Sequence, residues 1–264
     1  MDLLRGVTNL DEPLVASIGE YLGERILEIA ERAIQYVRPI YGATAANSVD
    51  GLGSGVLIRH AAKRWVATAK HVLKHNRDTP LEEGTNLYVG MPDGSINKNV
   101  VQMQASGLED PYDLALLPCD FLNDYPKSMF LDADVDLVDD RADFAFYHVI
   151  GYRAAPHAMD VHEGAQLVRP KPFLYTGTRI TQEESPAHLH LQIDAMKARH
   201  GNERWETGSL EGVSGGGVFP ILPLAQNSPR VQLAGIFIEH PKARRRVIAT
   251  KTSVLRALLQ LQPC

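Results

Sequence analysis

Cysteine is scarce: Cys119 and Cys264 are the only two in 264 residues. That is too few for a disulfide framework, so a reducing, cytoplasmic compartment is expected. No apolar run is long enough to cross a bilayer. Met1-Asp2-Leu3-Leu4-Arg5 leads into charged sequence without the apolar core of a secretory leader, and no membrane partner is expected. Positive charge is also short. A net charge of −5 gives no general pull toward nucleic acid, and the one basic cluster, Lys242-Ala243-Arg244-Arg245-Arg246, reads as a hairpin tip. Internal repeats and low-complexity segments are missing too.

What is present suits a folded core, since 44% of the residues are hydrophobic. Leu14, Ile18, Leu22, Ile26 and Ile29 recur at steps of three and four, which predicts an amphipathic helix over residues 11–33. Beyond it the pattern shortens. Gly53-Ser54-Gly55-Val56-Leu57-Ile58, a polar turn and Trp65-Val66-Ala67-Thr68-Ala69 read as a hairpin. Short strands are expected near 34–41, 87–91, 100–103, 114–118, 143–153, 176–180, 188–193, 231–239 and 246–250, with a closing helix over 253–261. Many strands, turn-rich joints and two helices define an all-β class.

The residues that carry chemistry centre on Glu211-Gly212-Val213-Ser214-Gly215-Gly216-Gly217-Val218-Phe219. Glycines around one serine allow a sharp turn that frees the hydroxyl, and they let amide N–H groups converge where an oxyanion would form. The same letters fit the G-x-S-x-G elbow of α/β-hydrolases, but Pro220 and Pro223 oppose the helix that must follow that serine. No Asp occurs after Ser214, and Glu239-His240, adjacent on a strand, would point to opposite faces. Asp132, Asp134 and Asp136 mimic part of a calcium loop, yet Leu137 stands where glycine is needed, so a solvated loop is expected. His188 and His190 share a strand face without a third ligand at a convincing spacing, so no metal is expected.

Thr68-Ala69-Lys70-His71, Asp113-Leu114-Ala115-Leu116 and Gly212-Val213-Ser214-Gly215-Gly216, in that order, resemble the trypsin/chymotrypsin-like serine peptidase family. The resemblance extends over about residues 36–262 and implies two six-stranded antiparallel β-barrels with a site in the crevice between them. On it, residues 1–35 form a helical extension, 36–125 the first barrel with His71 and Asp113, and 126–264 the second barrel with Ser214 and the closing helix. It further implies that Ser214 attacks a peptide carbonyl, His71 carries the proton, and Asp113 orients the imidazole. The Gly212 and Ser214 N–H groups would bind the oxyanion. Gly208, Ile238, Glu239 and His240 would contact substrate, and no metal or cofactor is needed.

Two departures bear on regulation. Val213 stands where digestive relatives carry the Asp that pairs with a freshly cut N-terminus, so the resemblance is to the bacterial-type branch without that activation. Glu239-His240 replaces an aromatic–glycine pair in the channel wall. The expected function is therefore a serine endopeptidase acting on a protein or peptide substrate, either active as it stands or latent until a partner protein or a loop rearrangement activates it. The alternative is a catalytically silent copy serving as a peptide-binding or scaffold module.

Overall fold

The computed structural model describes residues 27–45, 48–76, 79–80, 87–91, 96–97, 112–119, 125–139, 144, 146–153, 156–158, 160–162, 165–167, 172–181, 185–192, 198–200, 203–205, 210, 212–221, 230–239 and 246–262. Of the expected first helix only residues 27–34 fall within this set. They are helical, with Ile29, Ala30 and Ala33 buried, and form α1. The strand expected at 100–103 lies outside the described residues.

The first group of strands is β1 (Val37–Ala45), β2 (Ser48–His60), β3 (Lys63–Ala69), β4 (Lys74–Asn76), β5 (Thr79–Pro80), β6 (Leu87–Gly90), β7 (Ile96–Asn97) and β8 (Leu114–Pro118). Among these, β7-β6-β1-β2-β3-β8 is one antiparallel path of six. Among the described residues β7 and β8 do not pair, so the described part of this path is a six-stranded sheet. The β2–β3 hairpin pairs Ile58 with Trp65 and turns at Ala61, whose φ is 53°.

Next come β9 (Leu131–Asp132), β10 (Phe146–Tyr152), β11 (Pro156–Ala158), β12 (Asp160–His162), β13 (Ala165–Leu167), β14 (Pro172–Arg179) and β15 (His188–Gln192). The rest are β16 (Ala198–His200), β17 (Glu203–Trp205), β18 (Gly217–Pro220), β19 (Gly235–Glu239) and β20 (Arg246–Lys251), followed by α2 (Thr252–Gln260). Six of them, β10-β14-β15-β20-β19-β18, pair in a closed ring, with β18 returning to β10. Two short strands from this later half, β9 and β11, pair instead with β2 of the first sheet.

Side-chain alternation sorts the core. Along β8, Leu114 and Leu116 join a cluster shared with the second sheet, while Ala115 and Leu117 face the interior of the first. Alternate residues of a strand point to opposite faces, and β8 is apolar on both because both are covered. The shared cluster runs from Ala33, Val56 and Ile58 to Ile150, Phe219, Ile236 and the α2 residues Leu255, Leu258 and Leu259. Burying each of those leucines contributes about 1.5–3 kcal/mol, so α2 holds through its inward stripe. The closed ring has its own interior, including Tyr147, Val149, Leu191, Val218 and Phe237.

Candidate functional site

The hairpin delivers the first component. β3 ends in a single 3-10 turn, Lys70–Leu73, whose Val72 and Leu73 are buried and which leaves His71 partly exposed beside them. Asp113 stands immediately before β8, the antiparallel neighbour of β3, with Ala69 opposite Leu114. That register brings the end of one strand to the start of the other. The Asp113 carboxylate takes the His71 backbone N–H on Oδ1 at 2.9 Å and meets the ring Nδ1 through Oδ2 at 2.5 Å. The Lys70 N–H donates to the Asp113 carbonyl at 3.0 Å. With the carboxylate on Nδ1, the proton is held there, and Nε2 carries the lone pair of the neutral ring.

Asp113 has a φ of 43°, a left-handed conformation uncommon outside glycine and somewhat tolerated by Asp. Such backbone persists where its surroundings hold it, and here both flanking carbonyls are held. Tyr112 O accepts the Thr250 hydroxyl at 2.5 Å, and Asp113 O accepts the Lys70 amide.

Ser214 lies in the tight turn 212–215, which leads directly into β18. A strand after the serine agrees with the exclusion of the hydrolase elbow. Within the turn Val213 N–H donates to Leu210 O, Gly215 N–H to Phe237 O and Gly216 N–H to Val213 O. Among the described residues the amides of Gly212 and Ser214 meet no acceptor. Gly215 must be glycine: its φ is 84°, and a Cβ there would sit 2.0 Å from Ser54 O and 2.2 Å from Thr68 Oγ1.

The turn is seated on the first sheet chiefly by Ser54. Its N–H donates to Ser214 O at 2.8 Å, and its Oγ donates to Gly212 O at 3.1 Å while accepting the Tyr152 N–H at 2.7 Å. Its own carbonyl accepts the Thr68 hydroxyl at 2.6 Å, and both side chains are fully buried. Gly53 shows how closely the turns that carry His71 and Ser214 approach. A Cβ there would meet Val72, next to His71, at 2.6 Å and Ser214 O at 2.8 Å. The Ser214 hydroxyl itself reaches the Ile238 carbonyl at 3.5 Å.

Of the residues expected to contact substrate, Ile238 is therefore beside Ser214, and Glu239 is exposed at the end of β19. Gly208 and His240 lie outside the described residues, as do residues 242–245 of the basic cluster. His188 is hydrogen-bonded to Ser185 Oγ at 3.1 Å and stacks obliquely near Tyr112. Among the described residues no group of three or more His, Cys, Asp or Glu side chains is placed to hold a metal ion.

The acidic stretch differs from the solvated loop expected. Asp132 pairs with Arg59, Asp136 with Arg230, and the Asp136 carboxylate also accepts the Asp132 N–H. The two carboxylates pin a turn, and only Asp134 stands well out in solvent. Sequence reasoning passed over Ser54 and Thr250. Ser54 had one signal, a polar residue between two glycines at the start of an apolar strand; Thr250 had none. Arg38 and Tyr152 adjoin each other at the seam between the sheets. Burial lowers the Arg38 guanidinium below its ordinary value and raises the Tyr152 hydroxyl, while their mutual attraction opposes both shifts.

Compared with protein-family models and with curated proteins, the chain matches none. No helix among the described residues is long and apolar enough to cross a membrane.

Proposed function

We propose that this protein is a serine endopeptidase with the chymotrypsin-like arrangement of two β-barrels. The observation that supports it is the two-point grip of Asp113 on His71, set beside a docked turn that carries Ser214. Ser214 Oγ attacks the scissile carbonyl as Nε2 of His71 takes its proton. The imidazolium returns that proton to the leaving amine, and water then hydrolyses the acyl-enzyme by the same path in reverse. The N–H groups of Gly212 and Ser214 receive the oxyanion, where the loss of one donor costs about 2.7–4 kcal/mol in a serine protease of a different fold. Ile238 and Glu239 line the substrate channel. The reaction needs no cofactor.

The contact from Ser214 Oγ to Ile238 O favours a second form of the same reading. It turns the hydroxyl toward a carbonyl, as in an enzyme held latent until a partner or a loop shift releases it. Incubation with a fluorophosphonate tests the proposal: Ser214 is labelled, and Ser214→Ala abolishes the label. Failure to label in the presence of cell extract and across a peptide library, with the fold intact, leaves the catalytically silent scaffold.

A further inference from the structure

We infer that Thr250, on a strand of the closed ring, is a positioning residue that sets the orientation of the Asp113 carboxylate against His71. The inference rests on the reading of His71, Asp113 and Ser214 as catalytic. The argument starts from the backbone. The φ and ψ of one residue are rotations between the peptide planes on its two sides. At Asp113 the preceding plane carries Tyr112 O and the following plane carries Asp113 O. The first is held by the Thr250 hydroxyl at 2.5 Å and the second by the Lys70 N–H at 3.0 Å. Both rotations are thus fixed from outside, which keeps Asp113 at a φ of 43°.

The two anchors come from different halves of the molecule. Lys70 directly precedes His71, so its amide ties Asp113 to the histidine turn. Thr250 is 1% exposed and lies on β20, in register with His188 on one side and Ile236 on the other. The His188 ring stands 6.4 Å from the Tyr112 ring at 39°, a second contact on the same residue from the same pair of strands. The acid of the first sheet is therefore oriented by the second. Without the Thr250 donor, the Tyr112 peptide can rotate, Asp113 relaxes toward ordinary φ, and the Oδ2–Nδ1 bond lengthens or breaks. Thr250 touches neither substrate nor imidazole, so the loss falls on turnover and not on binding.

The test is a graded series: Thr250→Ser keeps the hydroxyl, Thr250→Cys offers a weak donor, and Thr250→Val keeps the shape without a donor. Two readouts are taken on folded protein. One is the proton resonance of His71 Nδ1–H in nitrogen-15-labelled protein, assigned by its loss in His71→Ala; the other is steady-state kinetics on a peptide identified by cleavage. Thr250→Val is expected to move the resonance upfield and lower kcat by about 10–100-fold, the scale of a misplaced catalytic group, with KM within about twofold. Ser restores both and Cys falls between. An unmoved resonance in Thr250→Val, or in Thr250→Cys should Val not fold, overturns the inference. If the wild type neither labels nor cleaves, the protease reading fails by itself, and the resonance still decides the role of Thr250.

Discussion

Replacing Ser54 by alanine removes one buried oxygen that serves two clients. Oγ accepts the Tyr152 N–H at 2.7 Å and donates to Gly212 O at 3.1 Å, at a residue with no exposed surface. Neither client has water at hand, and the void left by a single oxygen is too small to admit one. A buried polar group left without its partner costs about 1–3 kcal/mol, so two of them place the loss of stability at about 2–6 kcal/mol. The Ser54 backbone N–H still holds Ser214 O, so the turn stays docked. What loosens is the Gly212–Val213 peptide, which lies between the two amides proposed for the oxyanion. Turnover should therefore fall even where the protein remains folded, by up to the ~100-fold that follows loss of one oxyanion donor. Urea unfolding monitored by fluorescence gives the first quantity. Initial rates well below the unfolding midpoint give the second. A variant within about 0.5 kcal/mol of wild type, the range of ordinary surface substitutions, with unchanged kcat, would refute the reasoning.

Three further outcomes follow from the same geometry. Asp113→Asn is expected to keep the fold but lose about 10⁴-fold in kcat, as the wrong imidazole tautomer does in serine proteases with a Ser-His-Asp triad; peptide hydrolysis measures it. Gly215→Ala should fail to yield soluble folded protein, or should melt far below wild type by calorimetry, because backbone conformation and Ser54 O both exclude a Cβ. Burial raises the hydroxyls of Tyr41 and Tyr152 above their ordinary value of 10.0. The folded state then keeps protons the unfolded chain has released, so stability is whole below about pH 10 and declines as pH rises through the folded values. Urea midpoints taken across that window should fall, and less steeply in Tyr152→Phe; a flat profile would contradict the shift.

The parts of the fold written in local pattern were legible. The hairpin of β2 and β3, the apolar strand after Asp113 and the leucine stripe of α2 each depend on neighbours in sequence, and each lies where period and turn chemistry put it. His71 was expected at a strand end and sits in the 3-10 turn one step beyond. The remainder depends on partners far along the chain. Nothing around Asp113 announces its left-handed backbone, because the hydroxyl that helps hold it comes from Thr250. The acidic run looked solvated because Arg59 and Arg230, which neutralise it, are distant in sequence. Pairing order is likewise a property of register, and nothing local to residues 246–251 announces that this strand lies between β15 and β19.

The two borrowed strands on β2 carry a consequence for synthesis. Residues 48–50 and 58–59 wait for partners at 156–158 and 131–132, so the leading half emerges from the ribosome with bare hydrogen-bonding edges on its longest strand. Pairing over such separations is slow and leaves those edges open to strangers. A nascent chain halted before residue 131 is therefore expected to cling to chaperones or to its own copies, and to let go once the later segments arrive.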